Sequence, residues 1–252
     1  MNDTLNQLAA RKSVRVFTQQ PILPVQKQAI LQAAFEAPTA GCQQLYTILD
    51  ITDPALKATL AKLCDDQPFI AAAPLVLVFL ADCHRGPEAY KAAGCTEVRP
   101  AGAGDLFLAL ADACIAAQNA VAAAESLGIG SCYIGDILEH CGQVRQVLRL
   151  PRQVVPAAML VFGWPTLQQQ QRPKPRRFTP GYVVAENTYP AHSEATHRAA
   201  FGERALRSGN GKFDFDTWIT AFCNRKYESD FSREMSRSAA EYLESFSLKP
   251  QE

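Results

Sequence analysis

The sequence lacks net charge. Its 25 Lys and Arg balance 25 Asp and Glu, so it has no broad basic face for the phosphates of a nucleic acid. It lacks a long apolar run. The longest, Ile70 to Ala81, fits a strand or a short helix and falls short of a bilayer. Its start, MNDTLNQLAARKSV, lacks the charged segment and apolar stretch of a signal peptide. Histidine is scarce, with four copies, and none of the eight cysteines forms a C-x-x-C pair. Zinc spacing and a Cys/His nucleophile pair are therefore both missing. No metal, nucleic-acid or membrane partner is expected. The cysteines read as reduced, mostly buried thiols of a cytoplasmic protein. The common phosphate loops are absent too. There is no G-x-x-x-x-G-K-[ST] and no G-x-S-x-G, and GIGSCY at 128–133 follows a helix and ends in Tyr. An enzyme with this sequence has to draw its chemistry from a cofactor.

What is present is a large apolar fraction, 48%, enough for a real core. Helices are predicted over 22–37, 54–64, 105–127 and 136–148 from apolar residues at helical spacing. The 105–127 segment, DLFLALADACIAAQNAVAAAESL, is apolar nearly all round, as a buried helix is, and Gly128 suits its C-terminal cap. Strands are predicted over 45–51, 73–81, 130–134 and 155–164. The run APLVLVFLA is apolar on both faces and suits a central strand. Residues 83–104, 168–171 and 187–212 read as loops, and 215–246 as a helical tail. The pattern is α+β: a central, mainly antiparallel mixed sheet flanked by helices, with a C-terminal helical extension.

The candidate chemistry is concentrated in a few short segments. RKSVRVF at 11–17 alternates as extended chain, which puts Arg11, Ser13 and Arg15 on one face. Two guanidiniums and a hydroxyl match a phosphomonoester; a solvated basic face is the competing reading. RPKPRRF at 172–178 is held extended by its prolines and sets Lys174 and Arg176 two apart, as a second clamp or as a cationic surface linker. In APTAGCQQLYTI, Thr39 and Gln44 have the groups to hydrogen-bond a heteroaromatic ring, and Gly41 allows close backbone approach. The same loop also reads as a simple helix-to-strand connection. SCYIGD at 131–136 reads as a buried turn or a ligand contact.

Taken in order, ARKSVRVF, EAPTAGCQQLYTI, DDQPFIAAAPLVLVF, AQNAVAAAESLGIGSCYIGDI, LRLPRQVVPAAMLVFGWP and KPR followed by ENTYP resemble the FMN-dependent nitroreductase family. The likeness is strongest to its oxygen-insensitive NADPH nitroreductase and FMN reductase group. It implies a nitroreductase-like fold and a homodimer with FMN at the subunit interface. It implies that Arg11, Lys12, Ser13 and Arg15 bind the FMN phosphate and ribityl chain. Thr39, Cys42 and Gln44 would lie along the isoalloxazine, with Gln67 nearby and Tyr133, Ile134 and Gly135 facing the ring. Lys174 and Arg176 would form the other half of the clamp. In RSGNGKFDFDTW, Arg207 fits the position that contacts the NADPH 2′-phosphate, and Lys212 is the nearby cation at a departed second position. The implied activity is ping-pong transfer of hydride or electrons from NADPH or NADH to nitroaromatics, quinones or free flavin, with no catalytic side chain. The implied domains are residues 1–190 for FMN binding and 191–252 as an extension contacting the dimer partner. A non-catalytic FMN-binding or sensing protein, a reductase of an enone or halogenated aromatic, and a colourless interaction protein are the competing readings.

Overall fold

The structure, a computed structural model, describes residues 2–209 and 211–247; Asn210, in the loop RSGNGKF, lies outside them. The chain packs as two compact units. One runs to Arg172 and resumes at Glu234; the other is Pro173–Arg233.

The first unit starts with α1 (Asp3–Ala10), capped by Asn2, and α2 (Pro24–Phe35), with proline in its first turn. Strand β1 (Tyr46–Asp50), α3 (Pro54–Leu63), α4 (Pro68–Ala72), β2 (Leu75–Asp82), α5 (Arg85–Ala92) and α6 (Ala103–Ser126) follow. Then come β3 (Gly130–Ile134), α7 (Cys141–Leu148), β4 (Val154–Gly163) and α8 (Leu167–Gln171). The sheet order is β1-β2-β4-β3 and every ladder is antiparallel. The expected mixed character survives as one isolated parallel bridge, Ser13 to Ser131.

The period of two in β2 explains its place at the centre. Leu75, Leu77 and Phe79 face a core shared with α2 and α6, while Val76, Val78 and Leu80 face one shared with α3, α4 and α7. Pro156 is tolerated in central β4 because the register slips there: Phe79 pairs with Ala158 and Leu80 with Pro156. Helix α6 is long and apolar enough to cross a bilayer. Its alanines at 109, 113, 116, 117, 120 and 124 are instead buried in the core beneath the sheet. It ends in a Schellman cap: Gly128 adopts φ +78°, its N–H bonds Glu125 O at 3.0 Å, and Ile129 N–H bonds Ala124 O at 2.9 Å.

Several expectations are corrected. Residues 83–104 are not all loop: the Asp82 carboxylate accepts from the N–H groups of His84 and Arg85, at 3.0 Å each, and starts α5. Residues 168–171 belong to helix α8, and Gln169 is buried. The helix expected over 136–148 is split into a 3-10 turn, Gly135–Leu138, and α7, because His140 takes a left-handed conformation at φ +51°. Segment 13–17 is not a strand. It forms isolated bridges, Ser13–Ser131 and Phe17–Pro165, in place of a ladder, so its alternation fails and Val16 is exposed beside buried Val14.

The second unit holds α9 (Pro180–Val183), α10 (Glu194–Arg207), α11 (Phe215–Lys226) and the start of α12 (Asp230–Glu244). The loop expected over 187–212 is thus largely helix, started by Ser193, whose hydroxyl accepts from Thr196 N–H. The tail is broken between Lys226 and Asp230 rather than continuous. Arg204 stacks over Phe178, Phe201 and Trp218 at 4.2, 4.9 and 5.4 Å. No described residue of this unit is buried. The end of α12 belongs to the first unit, where Ser238 Oγ donates to Leu138 O and accepts from Cys141 N–H, and Tyr242 and Phe246 enter the core.

Two glycines face each other across β3 and β4, Gly130 opposite Gly163. A Cβ on Gly130 would meet Val14 at 2.6 Å, and one on Gly163 would meet the Phe17 ring at 2.6 Å and Pro74 at 2.9 Å. The pair makes the seat on which segment 14–17 lies. Gly163→Ala is expected to lower stability by about 1–3 kcal/mol through overpacking. In a double-mutant cycle followed by urea unfolding, Phe17→Ala should cost less in the Gly163→Ala background than in the wild type.

Candidate functional site

The structure brings Arg11, Lys12, Ser13 and Arg15 together with elements far along the chain. Val14 N–H bonds Ser131 O at 2.9 Å, Thr18 N–H bonds Trp164 O at 2.8 Å, and Arg15 N–H reaches Gln169 Oε1 at 3.4 Å. Lys12 Nζ donates to Gln170 O at 2.6 Å and to Arg172 O, so its ammonium fixes the chain leaving α8. Arg172 returns the contact, its Nη2 donating to Ser13 O at 2.5 Å. Arg172 was missed as a site residue; the signal was its place in RPKPRRF, one proline ahead of Lys174.

Three buried donors at this junction have no partner among the described residues: Arg11 Nη1, Ser131 Oγ and Arg172 Nε. Arg11 lies two residues before Ser13, Ser131 is paired with it, and Arg172 is bonded to its carbonyl. Buried donors normally find acceptors. An anion with several oxygens supplies them, so these residues fit a phosphomonoester such as that of FMN.

The 39–45 loop is organised by a residue that sequence reasoning passed over. Asp112, 3% exposed on α6, accepts from Thr39 Oγ1, from Ala40 N–H at 2.9 Å and from Leu45 N–H at 3.2 Å. Thr39 Oγ1 in turn accepts from Gln44 N–H at 2.7 Å. Its hydroxyl proton is therefore engaged inside the protein rather than offered to a ring. On the other side Arg85 Nη2 donates to Gln44 O, and to Tyr46 O at 3.3 Å. Gly41, Cys42 and Gln44 adopt left-handed φ values of +56°, +59° and +50°. Two of these are not glycine, a strain that only a loop tied on both sides retains. Cys42 and Gln44 are exposed. The legible signal for Asp112 was a lone acid in the alanine-rich run LALADACIAAQNAVAAA.

Gln67 caps α4, and its Nε2 donates to Cys64 O at 2.7 Å. Tyr133 stands on the open face of β3 with its hydroxyl donating to Gln118 Oε1 at 3.3 Å. Burial, then the neighbouring Cys114, pushes that phenol up to about 12 against the opposing charge of Arg11. Ile134 is buried, and Gly135 opens the following turn with free space where a Cβ would stand. Lys174 and Arg176 lie in the second unit on the chain before α9, Arg176 exposed. Arg207 ends α10, 3.6 Å from Glu203, and Lys212 is exposed five residues on. Among the described residues no group of three His, Cys, Asp or Glu is placed to hold a metal ion.

At the foot of the Gly135 turn, Glu139 is 5% exposed. Burial, then the charges of Asp136, Asp65 and Glu234, raise its carboxyl to about 7. Between the ordinary glutamate value and about 7, the folded protein holds a proton that the unfolded chain releases. Stability from this group is thus present at acid pH and lost as pH rises through that window. A rise of one pH unit inside the window moves the unfolding equilibrium about tenfold. Urea midpoints at pH 5 and pH 8 should therefore differ less in Glu139→Gln than in the wild type.

Residues 8–164 match the Nitroreductase family. The oxygen-insensitive NADPH nitroreductase of Salmonella typhimurium is 34% identical over 86% of this chain and 88% of its own length. The FMN reductase (NADPH) of Bacillus subtilis is 30% identical over 93% and 98%. The solved structure of NfrA2 from B. megaterium superposes with a TM-score of 0.83 at 25% identity, covering the whole of both chains. With a family match over more than half of the chain and a likeness that runs nearly end to end, the chain belongs to the nitroreductase family.

Proposed function

We propose that this protein is an FMN-dependent oxidoreductase that passes hydride or electrons from NAD(P)H to a small acceptor. The observation that carries the reading is the cluster of buried, unpartnered donors of Arg11, Ser131 and Arg172 around Ser13. It fits the phosphate of FMN and gives the RKSVR segment its purpose. Bound FMN supplies the hydride and one-electron chemistry that no side chain here provides.

The protein's part is binding and orientation. Arg11, Ser13 and Arg15 hold the phosphate end, Lys12 fixes the neighbouring chain, and Lys174 and Arg176 contribute the second pair of cations. The 39–45 loop, with Cys42 and Gln44 outward, lies along the ring. Gln67 stands nearby, and the Tyr133–Gly135 turn faces the ring, where Gly135 leaves open the space a side chain would fill. No side chain takes or gives a proton in this reading. The donor and the acceptor are taken in turn. The acceptor is a nitroaromatic, a quinone or free flavin, in line with the relatives named for nitro-group and FMN reduction.

A homodimer is part of the reading. Its support is an exposed apolar stripe on core helix α6, with Phe107 at 68% and Leu108 at 51% exposure. A second unit without a buried residue gives further support, since its 173–233 stretch has no interior of its own. The working division keeps a flavin-binding domain over 1–190 and an extension over 191–252 that contacts the partner subunit, the end of α12 rejoining the first unit through Tyr242 and Phe246. Eight free cysteines, four of them buried, suit the reducing cytoplasm.

The purified protein, or the protein incubated with FMN, should show a flavin spectrum that bleaches when NADPH is added under nitrogen. A colourless protein that takes up no FMN would sink the reading. Arg207 and Lys212 are the cations assigned to the NADPH 2′-phosphate. Arg207→Ala should raise KM for NADPH about tenfold and leave KM for NADH within about twofold, since NADH lacks that phosphate.

A further inference from the structure

We propose that Asp112 is the positioning residue of the flavin-contacting loop, and that its charge sets the potential of the bound flavin. The inference rests on the FMN reading and adds a residue to it. The geometry is specific. One carboxylate on α6 accepts from Thr39 Oγ1, Ala40 N–H and Leu45 N–H, so it grips both ends of the loop that carries Gly41, Cys42 and Gln44 in left-handed conformations. Thr39 relays the grip to Gln44 N–H at 2.7 Å. Arg85 holds the Gln44 and Tyr46 carbonyls from the other side.

The carboxylate is 3% exposed and makes no ion pair among the described residues. Main-chain N–H groups and a hydroxyl satisfy its lone pairs without cancelling its charge. If FMN lies along this loop as the reading has it, a fixed negative charge holding the loop disfavours the electron-rich reduced form. Asp112 therefore does two separable things: it holds the loop in shape, and it lowers the potential.

An amide cannot replace it. In Asp112→Asn the Nδ2 group faces either Ala40 N–H or Leu45 N–H, and one main-chain donor loses its acceptor. Asp112→Asn is expected to bind FMN about tenfold more weakly by fluorescence titration. The midpoint potential of its bound flavin should rise, measured by anaerobic photoreduction against a reference dye. Thr39→Val should weaken FMN in the same way in the wild type and add little in the Asp112→Asn background, the mark of one shared device. Leu60→Val, which opens a small cavity in the core shared by α3, α4 and α7, is the comparison: it should lower the melting temperature while FMN affinity and potential stay put.

A lowered melting temperature in Asp112→Asn with wild-type FMN affinity and potential would overturn the proposal, leaving Asp112 a structural residue. Additive effects of Thr39→Val and Asp112→Asn would overturn it as well. Should Asp112→Asn fail to fold, Thr39→Val alone decides: unchanged FMN affinity rejects the positioning role. A wild-type protein that binds no FMN would instead refute the flavin reading itself, so the two failures are distinguishable.

Discussion

The site depends on a contact between the chain's beginning and its sheet, made possible by two missing side chains. Gly130 and Gly163 stand opposite each other in β3 and β4, and Val14 and Phe17 occupy the space above them. Any β-carbon there would intrude to 2.6 Å. The segment bearing Arg11, Ser13 and Arg15 is thus positioned by packing as well as by hydrogen bonds to β3, α8 and Arg172. A full strand would have consumed the backbone groups of this segment in a ladder. A segment seated by packing instead leaves the Ser13 carbonyl free to accept from Arg172 and the Arg15 N–H free to reach Gln169.

The second half of the site follows a different rule. Loop 39–45 contains strained residues, and the strain persists because ties from α5 and α6 over-determine the loop. Both helices get their positions from the sheet: α5 begins at the Asp82 carboxylate ending β2, and α6 lies buried against β2 and β4. Sequence, fold and site therefore form one chain of cause. The apolar run of β2 fixes the centre, the centre fixes the helices, and the helices fix the loop.

Most of the scaffold was legible because periodicity carried it. β2, α3, β3 and α6 fall within a residue or two of where apolar spacing put them. The errors cluster where the cause is not periodic. Helix α10 is polar and contains Gly202, so apolar spacing was weak. The break at His140 is a single left-handed residue, which no pattern announces. The cations of the proposed site stand out as residue types, since RKSVR and KPR are compact basic segments in a neutral chain. Their roles were not: nothing in RKSVR says that Lys12 turns to carbonyls of α8 while Arg11 keeps a buried donor open. Asp112 was the hardest, because its function lies in what it bonds 67 to 73 residues away.

The charges around the site share one trait. Lys12 is held by the Gln170 and Arg172 carbonyls, Arg172 by the Ser13 carbonyl, Arg85 by the Gln44 and Tyr46 carbonyls, and Asp112 by N–H groups and a hydroxyl. None of these four forms an ion pair among the described residues, whereas Arg198 on α10 and Arg233 and Arg237 on α12 all do. A counter-ion fixes a side chain but cancels its field; a backbone dipole fixes it and leaves most of the charge in place. A chain with no net charge can therefore still present a strong local field, positive around Ser13 and negative beneath loop 39–45. The proposed site, a phosphate at one end of a cofactor and a redox ring at the other, would use that separation. It is achieved by the choice of partner for each charge, not by the number of charges.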